Sequence, residues 1–156
     1  MNLRMISMSS FAPHFTAGAI VGAVGAGVSL GIVNNSNALT VSLPLICGVM
    51  GALTPDMDIK SKSSMVMYLI FLSISCYFFF TERVDLAFLT LVYSIIPQFF
   101  GHRGFIHSFI FGVISSIGLY FALTVLLNII YLPAMIASIT YFVGFLSHKA
   151  LDCENF

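Results

Sequence analysis

Charge is what this sequence has least of. Only 8% of its 156 residues are Asp, Glu, Lys or Arg, against roughly 25% in an ordinary soluble domain. With 59% hydrophobic residues, that shortage excludes a soluble globular protein and places the chain in a bilayer. The six Lys and Arg are balanced by six Asp and Glu, so no surface can track a phosphate backbone. Nucleic acid is excluded as a partner. Cysteine is also scarce: three residues are an odd number, and Cys47 and Cys76 lie in apolar runs as packing residues, so a disulfide framework is excluded. Cys153, beside Asp152, is a minor candidate as a soft metal ligand.

What is present is apolar sequence in long runs. A chain of this length has room for about six short membrane-crossing helices, each of about 17 to 25 residues, and none for a second, soluble domain. Residues 1–156 are therefore read as a single integral membrane domain, an all-α, polytopic bundle. Runs bounded by polar residues, Pro or Gly place helices at Phe15–Val33, Ala38–Leu53, Ser64–Phe80, Leu86–Phe100, Phe105–Ile130 and Pro133–Leu151. Arg4 before a small-residue run resembles a secretory signal. The run from Phe15 is too long for one, however, and its Gly18, Gly22, Gly25, Gly27 and Gly31 suit a helix packed closely against a neighbouring backbone.

Counting crossings gives the polar residues a common address. With His14 on one side, Asp56 and Asp58, then His102 and His107, then His148 and Asp152 all return to that side. Arg4, Lys60, Lys62, Arg103 and Lys149 share it, and only Arg83 lies opposite. An excess of Lys and Arg in short loops marks the cytoplasmic face, so this side is expected to face the cytosol, in an inner-membrane, multi-pass protein.

The clusters themselves carry metal-ligand chemistry. Pro55 helps end the second helix and is expected to hold Thr54 extended; Asp56 and Asp58 beyond it can point at one cation or at two neighbouring ones. His102 and His107 are five apart, about 140° round an ideal helix, so they face one ion only if the Gly101 to Gly104 turn interrupts the helix. Arg103 between them offers a planar fork for an anionic oxygen. His148 and Asp152, at i and i+4, lie about 40° apart on one face, as two ligands or as a ligand and the acceptor that orients it. A neutral imidazole is expected at His14, because a helix N-terminus disfavours imidazolium. The plain alternative for each cluster is a capped or solvated helix end. Together they place four His and three Asp on one membrane face, donors suited to zinc or manganese, one or two ions.

Pro55-Asp56-Met57-Asp58, His102-Arg103-Gly104-Phe105-Ile106-His107-Ser108, and Gly144-Phe145-Leu146-Ser147-His148 followed by Asp152 resemble the YdjM-like inner membrane proteins of bacteria. These are described as LexA-regulated, membrane-bound, predicted metal-dependent hydrolases. The resemblance covers nearly the whole chain. It differs at Ile59, where a histidine is frequent, at Lys149, where an apolar residue is usual, and in ending four residues after Asp152. It implies a divalent-metal site of His14, Asp56, Asp58, His102, His107, His148 and Asp152, with Arg103 close by; Asp58, Arg103 and Asp152 are the expected catalytic residues.

The function expected on that basis is hydrolysis of a phosphoester or lipid-like ester presented from the membrane, with Arg103 clamping the anion. Membrane lipid is the expected partner. The alternative is a membrane metal-binding or transport protein without hydrolytic activity.

Overall fold

The computed structural model describes residues 11–33, 37–58, 62–99 and 105–153, with Asp58 and Cys153 described by their backbone alone. Six α-helices form among these residues, and no strand. They are α1 (Phe11–Ile32), α2 (Ala38–Leu53), α3 (Lys62–Phe80), α4 (Val84–Ile95), α5 (Phe109–Phe121) and α6 (Tyr131–Cys153). Short 3-10 segments follow α2 (Thr54–Asp58), follow α4 (Ile96–Phe99) and precede α5 (Phe105–His107). Five helical stretches are long and apolar enough to cross a membrane.

Two helices differ from the expectation, for local reasons. The fourth helix, expected at Leu86–Phe100, is α-helical only over Val84–Ile95 and tightens into a 3-10 turn containing Pro97. At rises of about 1.5 and 2.0 Å per residue the described residues of this stretch cover roughly 26 Å. The expected helix Phe105–Ile130 is cut at Ser108, whose side chain accepts a hydrogen bond from the Phe111 N–H (3.1 Å) and starts α5 there. At its far end the helix widens into a π turn, Ala122–Leu126. It stops at Asn128, which is left-handed (φ 53°), a conformation Asn tolerates better than most residues.

Proline chemistry shapes α2. Asn37 and Thr40 form a reciprocal capping box at its start. Pro44 inside the helix has no N–H for the Thr40 carbonyl four residues back, and Ser29 of α1 donates to that carbonyl instead (2.8 Å), both groups being buried. At the other end Thr54 is helical (φ −57°, ψ −42°) and not extended. The chain runs on into a 3-10 turn that Pro55 can join, and the Thr54 hydroxyl donates to the Met50 carbonyl (2.7 Å).

The centre of the molecule is the packing of α1, α2 and α6, held by glycines rather than by large side chains. A Cβ on Gly18 would lie 2.8 Å from the Ala52 Cβ, and one on Gly48 only 2.7 Å from the Gly18 carbonyl and the Gly22 nitrogen. Gly51 lies against the Tyr141 carbonyl and Gly144 against the Gly48 carbonyl. Without a hydrophobic force between helices in lipid, such close backbone approach is what lets them associate. Gly27 and Gly31, expected in the same seam, have nothing within 4 Å; they sit on the other face of α1. Cys47 is a buried packing residue as expected, whereas Cys76 is exposed.

Candidate metal centre

Each arm of the glycine seam ends in a polar group at the same end of the bundle. His14 lies one turn before Gly18, His148 one turn after Gly144, and Asp56 just past Gly51. The seam that brings the backbones together therefore brings these side chains together. His14 is within the first turn of α1, since the helix starts at Phe11 and takes Pro13 into that turn. It is 2% exposed, His148 0% and Asp56 6%. Burial this complete is rare for ionisable groups unless they are paired or bind a metal.

His148 is the hub. Its Nδ1 lies 2.8 Å from the Ala52 carbonyl, and a carbonyl only accepts, so Nδ1 carries the proton. That carbonyl belongs to the last turn of α2, where an α-helix leaves acceptors without an internal partner. Nε2 then presents its lone pair to two carboxylates: Asp152 Oδ2 at 3.3 Å and Asp56 Oδ1 at 3.6 Å. Neither contact has hydrogen-bond geometry, and Nε2 is buried without a hydrogen-bond partner. Three electron-rich atoms facing one another invite a positive charge between them. Their spacing suits a metal, because ligands about 2.1 Å from a tetrahedral ion are about 3.4 Å apart.

His14 completes one wall. Its ring stacks on that of His148 with centroids 3.9 Å apart and planes at 20°. Its Nε2 lies 3.4 Å from the other oxygen of Asp152, and its Nδ1 is buried without a hydrogen-bond partner. Asp152 thus faces both imidazoles from a side chain that is 34% exposed. His107 arrives from the 3-10 turn before α5, its ring 5.7 Å from that of His148. Two donor triads result, His14 with Asp56 and His148, and His107 with His148 and Asp152, each with ligand atoms within 4.8 Å of one another. The two triads share His148, whose Nδ1 is taken by the Ala52 carbonyl.

Five of the residues singled out in the sequence, His14, Asp56, His107, His148 and Asp152, therefore meet. His102 and Arg103 lie outside the described residues, as does the side chain of Asp58. Three supporting contacts escaped the sequence reading. Ser63 donates to Asp56 Oδ2 (3.0 Å), the Ala52 carbonyl orients His148, and the Tyr141 hydroxyl donates to Thr54 Oγ1 (3.1 Å), tying α6 to the turn that carries Asp56. A backbone carbonyl leaves no mark in sequence. The serine pair opening α3 reads only as a helix start.

The comparison with known families covers almost all of the chain. No curated protein and no solved structure matches the chain. The sequence profile of the YdjM inner membrane proteins, by contrast, matches residues 8–155, a stretch that begins before His14 and ends after Asp152. The chain belongs to the YdjM inner membrane protein family.

Proposed function

We propose that the protein is a membrane-bound, metal-dependent hydrolase acting on an ester or phosphoester at the cytoplasmic face of the inner membrane. The observation that carries this reading is the lone pair of His148 Nε2, buried and facing oxygens of both Asp56 and Asp152. A second proton on His148 would also satisfy those oxygens. It would then place a cationic ring 3.9 Å from the His14 ring, in a buried site where charge is costly. A divalent ion fits the donor set better, and nitrogen with carboxylate oxygen suits zinc or manganese.

His14, Asp56, His107, His148 and Asp152 would hold the ion, which when bound supplies Lewis acidity for activating water and polarising an ester. The protein's own part is positioning and proton handling. The Ala52 carbonyl keeps the proton on Nδ1 of His148 and its Nε2 free. Asp152, partly exposed and in contact with both imidazoles, is the carboxylate placed to take a proton from an entering water. Transport is the weaker reading, because the Asp, Glu, Lys, Arg and His residues of the five long spans lie near their ends and none marks a path through the middle.

The test is the metal content of detergent-purified protein beside a His148→Ala, Asp152→Ala double variant, followed by hydrolysis of chromogenic phosphodiester and carboxylic esters with and without added zinc or manganese. The reading requires metal in the wild type and loss in the variant, with turnover that depends on the ion. Equal, negligible metal in both proteins would end it.

A further inference from the structure

A buried side-chain hydrogen bond joins the start of α3 to the turn that carries Asp56. Ser63 stands in the first turn of α3, is 1% exposed, and donates to Oδ2 of a carboxylate that is itself 6% exposed. The other oxygen of that carboxylate, Oδ1, is the one turned towards His148 Nε2. Asp56 sits on a 3-10 turn five residues long that joins α2 to α3.

Helix α3 makes a second contact with that turn. The Tyr68 hydroxyl donates to the Met57 carbonyl (2.8 Å), which anchors the backbone without touching the carboxylate. Beneath both, Leu53, Met57, Met67 and Phe71 pack as a buried cluster. Backbone position and carboxylate rotation are thus held by different residues of one helix.

We propose that Ser63 is a positioning residue for the metal centre: its hydroxyl fixes the rotation of the Asp56 carboxylate, so that Oδ1, and not Oδ2, is presented to the ion. The inference rests on the metal-binding reading above. Hydrogen-bond partners of metal ligands set the orientation and basicity of those ligands, and their loss typically costs 10- to 100-fold in affinity. A serine hydroxyl suits the task, since it donates to one oxygen while leaving the other's lone pairs for the cation.

The experiment is a titration of purified, metal-stripped protein with zinc and with manganese, for the wild type and for Ser63→Ala, Ser63→Thr and Tyr68→Phe, with helicity and detergent-solution mobility recorded for each. Ser63→Ala is expected to bind the ion about 10- to 100-fold more weakly. Ser63→Thr, which keeps the hydroxyl, should remain much nearer the wild type, and Tyr68→Phe should lose less than Ser63→Ala. Equal affinity of Ser63→Ala and wild type would overturn the proposal while leaving the metal site standing. A loss in Tyr68→Phe as large as in Ser63→Ala would also overturn it, by showing that the turn's packing is what matters. If Ser63→Ala fails to fold, the comparison of Ser63→Thr with Tyr68→Phe decides, and a Thr variant as weak as or weaker than the Phe variant counts against the proposal. A wild type that binds neither ion removes the metal reading itself, and this inference with it.

Discussion

Substituting Gly48 by alanine tests whether backbone contact between helices builds this bundle. The new methyl carbon would lie 2.7 Å from the Gly18 carbonyl oxygen, 2.7 Å from the Gly22 nitrogen and 2.8 Å from the Gly22 Cα. Carbon contacts are comfortable at about 3.5 to 4.0 Å, and all three atoms belong to the backbone of α1, so no side chain can swing aside. Helix α1 must move away by roughly 0.7 Å or more to restore such contacts. Overpacking of this kind costs about 1 to 3 kcal/mol. Alanine's better helix propensity returns at most about 1 kcal/mol, so the packing cost wins. For a chain of this size each kcal/mol shifts the midpoint by about 2 to 4 °C, and thermal unfolding in detergent should show a Tm lower by several degrees. Because α1 carries His14, the same displacement should weaken metal binding. Gly27→Ala and Gly31→Ala provide the control, since nothing lies within 4 Å of either position; both should leave Tm unchanged or slightly raised. Equal midpoints for Gly48→Ala and Gly27→Ala would refute the argument.

Three further outcomes follow from particular contacts. Ser29→Ala should lower stability by about 1 to 3 kcal/mol, read as a drop in Tm, because it leaves the Thr40 carbonyl, already deprived of its helical donor by Pro44, without the Ser29 hydroxyl. Asp152→Asn keeps the shape of the side chain but removes its charge; titration should show the divalent ion bound at least tenfold more weakly, with helicity unchanged, since both oxygens face imidazole nitrogens at 3.3 and 3.4 Å. A C-terminal alkaline-phosphatase fusion should be inactive and a fluorescent-protein fusion bright, if the Lys and Arg bias has assigned the cytoplasmic side correctly; high phosphatase activity would reverse the orientation.

The helical, membrane-spanning character of the chain was readable without coordinates, because a bilayer admits few ways to satisfy a backbone and hydrophobic run length reports them directly. The shared end of the polar clusters was readable too. Whether His14, Asp56, His107 and His148 fall on one side depends on how many times the chain crosses, a count that boundary errors of a few residues do not alter. The His148 and Asp152 pairing came from helical spacing alone, and Nε2 and Oδ2 are 3.3 Å apart.

Other features needed the tertiary structure. Helix α1 is apolar on most of its surface, and only His14 and Ser29, which share the face of Gly18, Gly22 and Gly25, separate those glycines, which meet other helices, from Gly27 and Gly31, which do not. Water marks the outer face of a soluble helix by selecting polar residues there; lipid makes no such distinction, and the seam is visible only where backbones touch. The break at Ser108 and the change from α to 3-10 geometry at Ile96, next to Pro97, were likewise hidden inside continuous apolar runs. Composition and spacing determined that this protein is a membrane bundle with all its histidines and most of its other ionisable groups gathered at one end. Tertiary packing decided which of those groups converge, which nitrogen of His148 stays free and which hydroxyl holds Asp56, because those choices depend on atoms contributed by helices distant in sequence.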